Sequence, residues 1–200
     1  MRWQRGLALA LLLLLASAAS AEATPRFLLG FGMGPEPRVS GLPARDPKAM
    51  PGVPFSARDI MGVRIGDLEI TGVFVGQSLA GDTNSSLMVV RGDFKWLFGR
   101  GVLAKGWEAY LRGGLGHAWG MGISHPCSAG CANNLQRQDH HGGAWAGAAG
   151  LSFSTHGPIG LTAFAELERQ FVKLGPQESR LDLTVSAYTV GIMMTIRMGR

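Results

Sequence analysis

The sequence predicts an all-β fold: a closed antiparallel transmembrane β-barrel of about eight strands, connected as an up-and-down meander. Three observations carry this reading. Large apolar residues of the last strand-length segment fall on every second position, Tyr188, Val190, Ile192, Met194, Ile196 and Met198, against Thr189, Gly191, Met193, Thr195 and Arg197. That period marks a strand with one apolar and one small or polar face. The chain opens with an export signal, and no later stretch is apolar for the ~18–20 residues that a spanning helix requires. A membrane must then be crossed by strands, and strands cross lipid only as closed barrels.

Arg2 and Arg5 form a positive n-region, Leu7 to Leu15 is an unbroken apolar run, and Ala19-Ser20-Ala21 or Ala21-Glu22-Ala23 supplies the small residues of a cleavage site. Residues 1–23 are expected to be a cleaved secretory signal peptide and residues 24–200 a single outer-membrane barrel domain. A composition of 30 Gly, 46% hydrophobic and 16% charged residues suits closely paired strands that are wet on one side. Loss of the leader lowers the formal charge from +5 to about +3 or +4, a scattered excess that does not point to nucleic acid.

The segments alternate in order. Phe27, Leu29, Phe31 and Met33 make a short first strand against Leu28, Gly30, Gly32 and Gly34, and residues 35 to 57, with six of the ten prolines, read as a first long loop. In the second strand Met61, Val63 and Ile65 oppose Gly62, Arg64 and Gly66. A phase slip at Gly66-Asp67 predicts a tight hairpin turn before Leu68, Ile70, Gly72 and Phe74 of the third strand, which ends near Leu79. The fourth sets Met88, Val90, Phe94, Trp96 and Phe98 against Val89, Arg91, Asp93 and Lys95. After a turn at residues 99 to 106, the fifth places Trp107, Ala109, Leu111, Gly113 and Leu115 opposite Glu108, Tyr110, Arg112, Gly114 and Gly116.

A third loop is expected from Ser124 to His141. The sixth strand then sets Trp145, Gly147, Ala149, Leu151 and Phe153 against a face of small residues, Ala144, Ala146, Ala148, Gly150 and Ser152, and turns at His156-Gly157-Pro158. The seventh alternates Ile159, Leu161, Ala163, Ala165 and Leu167 with Thr162, Phe164, Glu166, Glu168 and Gln170, and a loop around Gly175-Pro176 leads to the eighth. Short turns at one end and longer loops at the other are the asymmetry expected of an outer-membrane barrel. Trp96, Phe98, Trp107, Trp145, Phe153 and Tyr188 near strand ends fit an interfacial girdle. That favours the membrane barrel over a water-soluble, lipocalin-like one, whose apolar residues would point inward.

The leader, the eight alternating segments and the ending resemble the small eight-stranded outer-membrane β-barrel superfamily of Gram-negative bacteria, typified by the OmpA transmembrane domain, OmpX and the opacity proteins. Thr189, Gly191, Met194 and Ile196 match the terminal pattern of such proteins, although the chain ends Arg197-Met198-Gly199-Arg200 without the usual final aromatic residue. The resemblance implies a cell outer-membrane location, contact with outer-membrane lipid and lipopolysaccharide, and recognition of the last strand by the barrel-assembly machinery.

Arg64, Glu69, Arg91, Asp93, Lys95, Glu108, Arg112, Glu166, Glu168 and Arg197 are predicted to project into one narrow lumen. An eight-stranded barrel is just wide enough for side chains to fill it, so these charges are expected to pair and stabilise, with a structural or surface-interaction role for the protein. The alternative is a narrow ion or small-solute pore, for which the small face of the sixth strand would leave room for water. Extracellular recognition, if any, falls to loops one and three.

Cys127 and Cys131 lie in the third loop of an exported chain, where a local disulfide is expected. The competing reading is a metal site with His125, His140 and His141, but the spacing is not that of a zinc finger, and no metal or other cofactor is expected. A lipid A-modifying enzyme is the remaining class. His117, His156, Ser152, Ser154 and Glu166 could be assembled into a catalytic set, but none carries the local His/Ser motif of such enzymes, so no enzymatic activity and no catalytic residues are expected. Arg91-Gly92-Asp93 spells an adhesion tripeptide within a strand whose alternate residues face opposite sides, and the cluster Gly30 to Gly34 precedes no helix, so neither implies a ligand.

Overall fold

The computed structural model describes residues 24–35, 37–42, 55–79, 85–98, 103–126, 135–155, 159–175 and 180–197. The leader, Cys127, Cys131 and His156 lie outside the described residues, as do the centres of the expected first and third loops. Nine strands occur among the described residues: β1 (Arg26–Pro35), β2 (Arg38–Ser40), β3 (Phe55–Ile65), β4 (Leu68–Ser78), β5 (Ser86–Phe98), β6 (Trp107–Pro126), β7 (Leu135–Ser154), β8 (Ile159–Leu174) and β9 (Leu181–Arg197). Every pairing is antiparallel, and β1 pairs with both β3 and β9, which closes eight staves into a barrel.

Closure has a definite stagger. The row of directly paired residues Ile196, Phe27, Val63, Ile70, Phe94, Gly113, Gly147, Arg169 and Ser186 circles the barrel once and returns to β9 ten residues higher. Eight strands with this stagger lean about 40° from the axis. With strands ~4.8 Å apart they enclose a cylinder roughly 16 Å across between backbones.

Three differences from the sequence reading have local causes. Among the described residues, pairing breaks between Pro35 and Arg38. The chain then resumes as β2, whose Val39 pairs with Val185 of β9, so the first loop contains a short strand and β3 begins at Phe55. The third loop is shorter than expected, because β6 and β7 pair onward to Pro126↔Leu135 across a register shift between Gly120 and Ile123. Gly122, at φ 62°, donates its backbone N–H to Asp139 Oδ1 at that bulge. Finally, β9 starts at Leu181, not at Tyr188.

The turn at Gly66-Asp67 is as expected: Ile65 pairs with Leu68, and Gly66 at φ 60° supplies the positive φ that a two-residue hairpin turn demands. The β3–β4, β5–β6 and β7–β8 connections, the start of β1 and the end of β9 share one end, here called the turn end, and the β4–β5, β6–β7 and β8–β9 connections, with β2 between β1 and β3, mark the opposite loop end. Outward residues form an apolar belt, with Leu115, Leu167, Ile159, Trp96 and Ile192 all more than 60% exposed. Trp96, Phe98, Trp107 and Phe153 stand at its turn end, and Trp145 and Tyr188 toward its loop end, all exposed. At ~2.5 Å of axial rise per tilted residue, ten residues span the ~25 Å height of an outer-membrane apolar band.

Candidate functional site: the barrel lumen

The lumen is built from alternate residues of every stave, and their chemistry changes along the axis. Nearest the turn end, Arg64 reaches across from β3 to β6, where its Nη1 and Nη2 donate to the two Glu108 carboxylate oxygens at 2.9 and 2.7 Å. Lys95 Nζ lies 2.9 Å from Glu69 Oε2 and 4.1 Å above the Tyr110 ring. Beside this pair of ion pairs, Leu28, Ile60, Leu97, Phe164 and Met193 pack with the Tyr110 ring into an apolar cluster.

At mid-height three arginines surround two glutamates and an aspartate. Arg58 Nη2 donates to Glu168 Oε2 at 2.7 Å, and its Nη1 is paired with Glu166. Arg91 donates from Nη1 to Glu168 Oε1 at 2.9 Å and from Nε to Asp93 Oδ1 at 2.8 Å. Arg112 pairs with Asp93 at 3.0 Å and also with Glu166 and Glu168. Tyr110 Oη donates to Glu166 Oε2 at 3.0 Å. The buried charges, Arg58, Arg64, Arg91, Lys95 and Arg112 against Glu69, Asp93, Glu108, Glu166 and Glu168, balance. Burial of charge demands such pairing.

Above the charged layer the lumen is apolar. Val73, Val75, Leu79, Leu87, Val89, Ala118, Ile123, Ala144, Val172, Leu174, Leu181, Leu183 and Val185 form one buried cluster, with Val39 and Leu42 packed against it. Leu87, Val75, Val89, Leu174 and Val185 are completely shielded. The lumen is thus closed twice, by an ion-paired layer and then by a hydrophobic one.

Nine of the ten charged residues expected in the lumen are there. Arg197 is not: its position has inward parity, but β9 ends there, so the side chain is exposed at the rim and donates to Thr24 Oγ1 at 3.0 Å. Arg58, 1% exposed, joins the lumen charges: β3 starts at Phe55 rather than at the expected Met61, and two-residue steps back from Arg64 through Gly62 and Ile60 put Arg58 on the same inner face. The small face of β7 does not hold open space. Gly150 pairs with Tyr110, and a Cβ at Gly150 would stand 2.5 Å from Tyr110 Cζ, so the large side chains of β6 fill the gap that β7 leaves.

Among the described residues the structure does not bring together the set weighed as a catalytic alternative. Ser152 is buried at the turn end with its Oγ 3.5 Å from the Glu108 carbonyl, and Ser154 Oγ lies 2.8 Å from Thr162 Oγ1. Glu166 is held in the charged layer, whereas His117 is on the outer wall toward the loop end, with its ring 5.8 Å from that of His141. His140 and His141 stand on opposite faces of β7, and no group of three metal-ligating side chains occurs among the described residues. Arg91 and Asp93 point inward and bond each other, so the adhesion tripeptide offers no grip.

No family model and no curated protein matches the chain. Solved structures do. Neisserial surface protein A is similar at 13% identity and a TM-score of 0.55, over 84% of this chain and 95% of that one. The N-terminal β-barrel domain of Pseudomonas aeruginosa OprF is similar at 15% identity and a TM-score of 0.50, over 87% and 98%. The chain has the fold of the small eight-stranded outer-membrane β-barrels.

Proposed function

We propose that this protein is a non-conducting β-barrel of the bacterial outer membrane whose role is structural or lies in surface interaction. In this reading the leader at residues 1–23 is cleaved, the turn end faces the periplasm, and the loops at the other end face outward. The last strand is the element handed to the barrel-assembly machinery, and the first and third loops carry any extracellular recognition. The observation that supports a closed barrel is the double seal of the lumen. A hydrated path would have to break the network around Glu168 and also wet the apolar layer of Leu87, Val89 and Leu174.

Planar-bilayer recording of the refolded mature chain tests the reading. The expected trace shows no discrete unitary steps, and reproducible single-channel steps would establish the pore instead. A heat-modifiable band in the outer-membrane fraction is the expected test of location. Lipid A from cells overexpressing the chain is expected to keep its acylation pattern, and an altered pattern would reveal enzymatic activity.

A further inference from the structure

Resting on the outer-membrane reading above, we propose that the outer wall of β6 to β9 carries a binding site for one phosphorylated, multiply acylated lipid of the outer leaflet, of the lipid A class. The geometry begins with one hydrogen-bonded row. Arg38 of β2 pairs with Ser186 of β9, and Ser186 pairs on its other side with Arg169 of β8. All three point outward and are exposed. The arginine Cα atoms are therefore two strand spacings apart, about 10 Å. From that separation two side chains of arginine length can both reach a single phosphate bound over the Ser186 hydroxyl. Guanidinium groups are suited to this ligand, since their planar fork donates two parallel hydrogen bonds to phosphate oxygens.

Below the row, toward the turn end, lies a groove of about 840 Å³ lined by Leu111, Ala149, Leu167 and Tyr188, among others. Its depth comes from the absent side chain of Gly147, around whose Cβ position nothing stands within 4 Å. Leu111 and Leu167 are both more than 55% exposed on the groove floor. Glu168 and Arg112 back the groove from the lumen side, where they pair with one another and present no charge to it.

The position relative to the belt fixes the lipid's orientation. Arg169 lies two residues beyond Leu167 on β8, and Ser186 two beyond Tyr188 on β9; farther toward the loop end the outward residues are Phe171 and Lys173 on β8 and Thr184 and Asp182 on β9, an aromatic and polar rim above the leucines. Arg169 is braced, its guanidinium 5.3 Å from the Phe171 ring, which in turn stacks on Trp145 at 4.0 Å. The nearby outward acid, Asp182, lies four residues along β9 from Ser186, opposite Lys173 in the β8–β9 register, and its Oδ1 accepts from Arg180 Nε at 3.1 Å. An anionic headgroup at the loop-end rim with acyl chains directed down the wall matches both the charge and the apolar surface.

The test is native mass spectrometry of the full mature barrel released from detergent after incubation with lipid A, with dephosphorylated lipid A, or with phosphatidylglycerol. The expected result is retention of lipid A at a one-to-one ratio. A loss of about tenfold or more is expected on dephosphorylation and in the double variant Arg38→Ala/Arg169→Ala, as for removal of a charge-assisted hydrogen bond. Ala149→Phe, which fills the groove and leaves both arginines in place, is expected to weaken retention as well. Equal binding of phosphatidylglycerol, or retention unchanged in the double variant or in Ala149→Phe, would overturn the site. Each variant is first shown to give the heat-modifiable band of a folded barrel. A wild-type chain absent from the outer-membrane fraction refutes the location, whereas a folded barrel there with no preference for lipid A refutes this site alone.

Discussion

Glu168→Gln removes one negative charge from the centre of the lumen at nearly constant volume, and it should be the most damaging single neutral substitution in the barrel. The carboxylate is shared by Arg58, Arg91 and Arg112 and also accepts from Gln170 Nε2. At an effective dielectric of ~20, each unit charge pair about 4 Å apart interacts by ~4 kcal/mol. The three guanidiniums thus lose on the order of 12 kcal/mol of gross attraction. Relief of the carboxylate's own burial and local relaxation offset most of this, and removal of one member of a buried ion network typically leaves a net loss of about 3–5 kcal/mol. Only Asp93 and Glu166 then remain to face the three cations. The assay is urea unfolding of the barrel in lipid vesicles, followed by tryptophan fluorescence and the gel shift. Adding Arg91→Met, which restores charge balance, should recover a substantial part of the loss, so the two substitutions should be strongly non-additive. A Glu168→Gln variant within ~1 kcal/mol of wild type, or strict additivity with Arg91→Met, would refute the claim that this network is a closed, fully desolvated unit.

Other outcomes follow from the same geometry. Gly150→Val should destabilise by about 1–3 kcal/mol and lower the yield of folded barrel, because its Cβ meets the Tyr110 ring and the Ala165 carbonyl; Gly147→Ala, on the same strand but facing out, should be near neutral, and the two unfolding midpoints check the contrast. Depth-dependent quenching should place Trp96 and Trp107 at one interface and Trp145 at the other, with brominated lipids quenching more strongly near the headgroup than at mid-chain in single-tryptophan variants. Intact mass of the exported chain should correspond to cleavage after Ala21 or Ala23. Without reductant, neither Cys127 nor Cys131 should be alkylated.

Legibility from the sequence followed the physics of each face. On the outer wall the apolar residues are large and regular, so Phe94, Trp96 and Phe98 on β5 or Leu161 and Leu167 on β8 announce the strand, its phase and its lipid side at once. The charged half of the lumen was equally plain, because Arg91, Asp93 and Lys95 can occupy only the inner face of a strand whose other face meets lipid. The apolar half was hidden by the same rule. Through Val73-Phe74-Val75, Val89-Val90 and Phe171-Val172 both faces are hydrophobic, so alternation vanishes and a polar-inside expectation finds no contrast. Such two-sided segments are recognisable only once the register shows that the strands converge there on one cluster. The same convergence weakens the pore reading more than the ion pairs do. A network such as that around Glu168 can in principle rearrange around an ion, since each guanidinium can exchange one oxygen partner for another. A close-packed layer of Val, Leu and Ile has no polar group to exchange, and a permeating ion would cross it with nothing to replace its hydration. Neutralising charges in the lower layer should therefore destabilise the barrel without opening it. Conductance should appear only when the upper layer is also cut back, as in Leu87→Ala/Leu174→Ala combined with Glu168→Gln and Arg91→Met, and unitary steps from the charge-layer substitutions alone would show that the hydrophobic layer is not a seal.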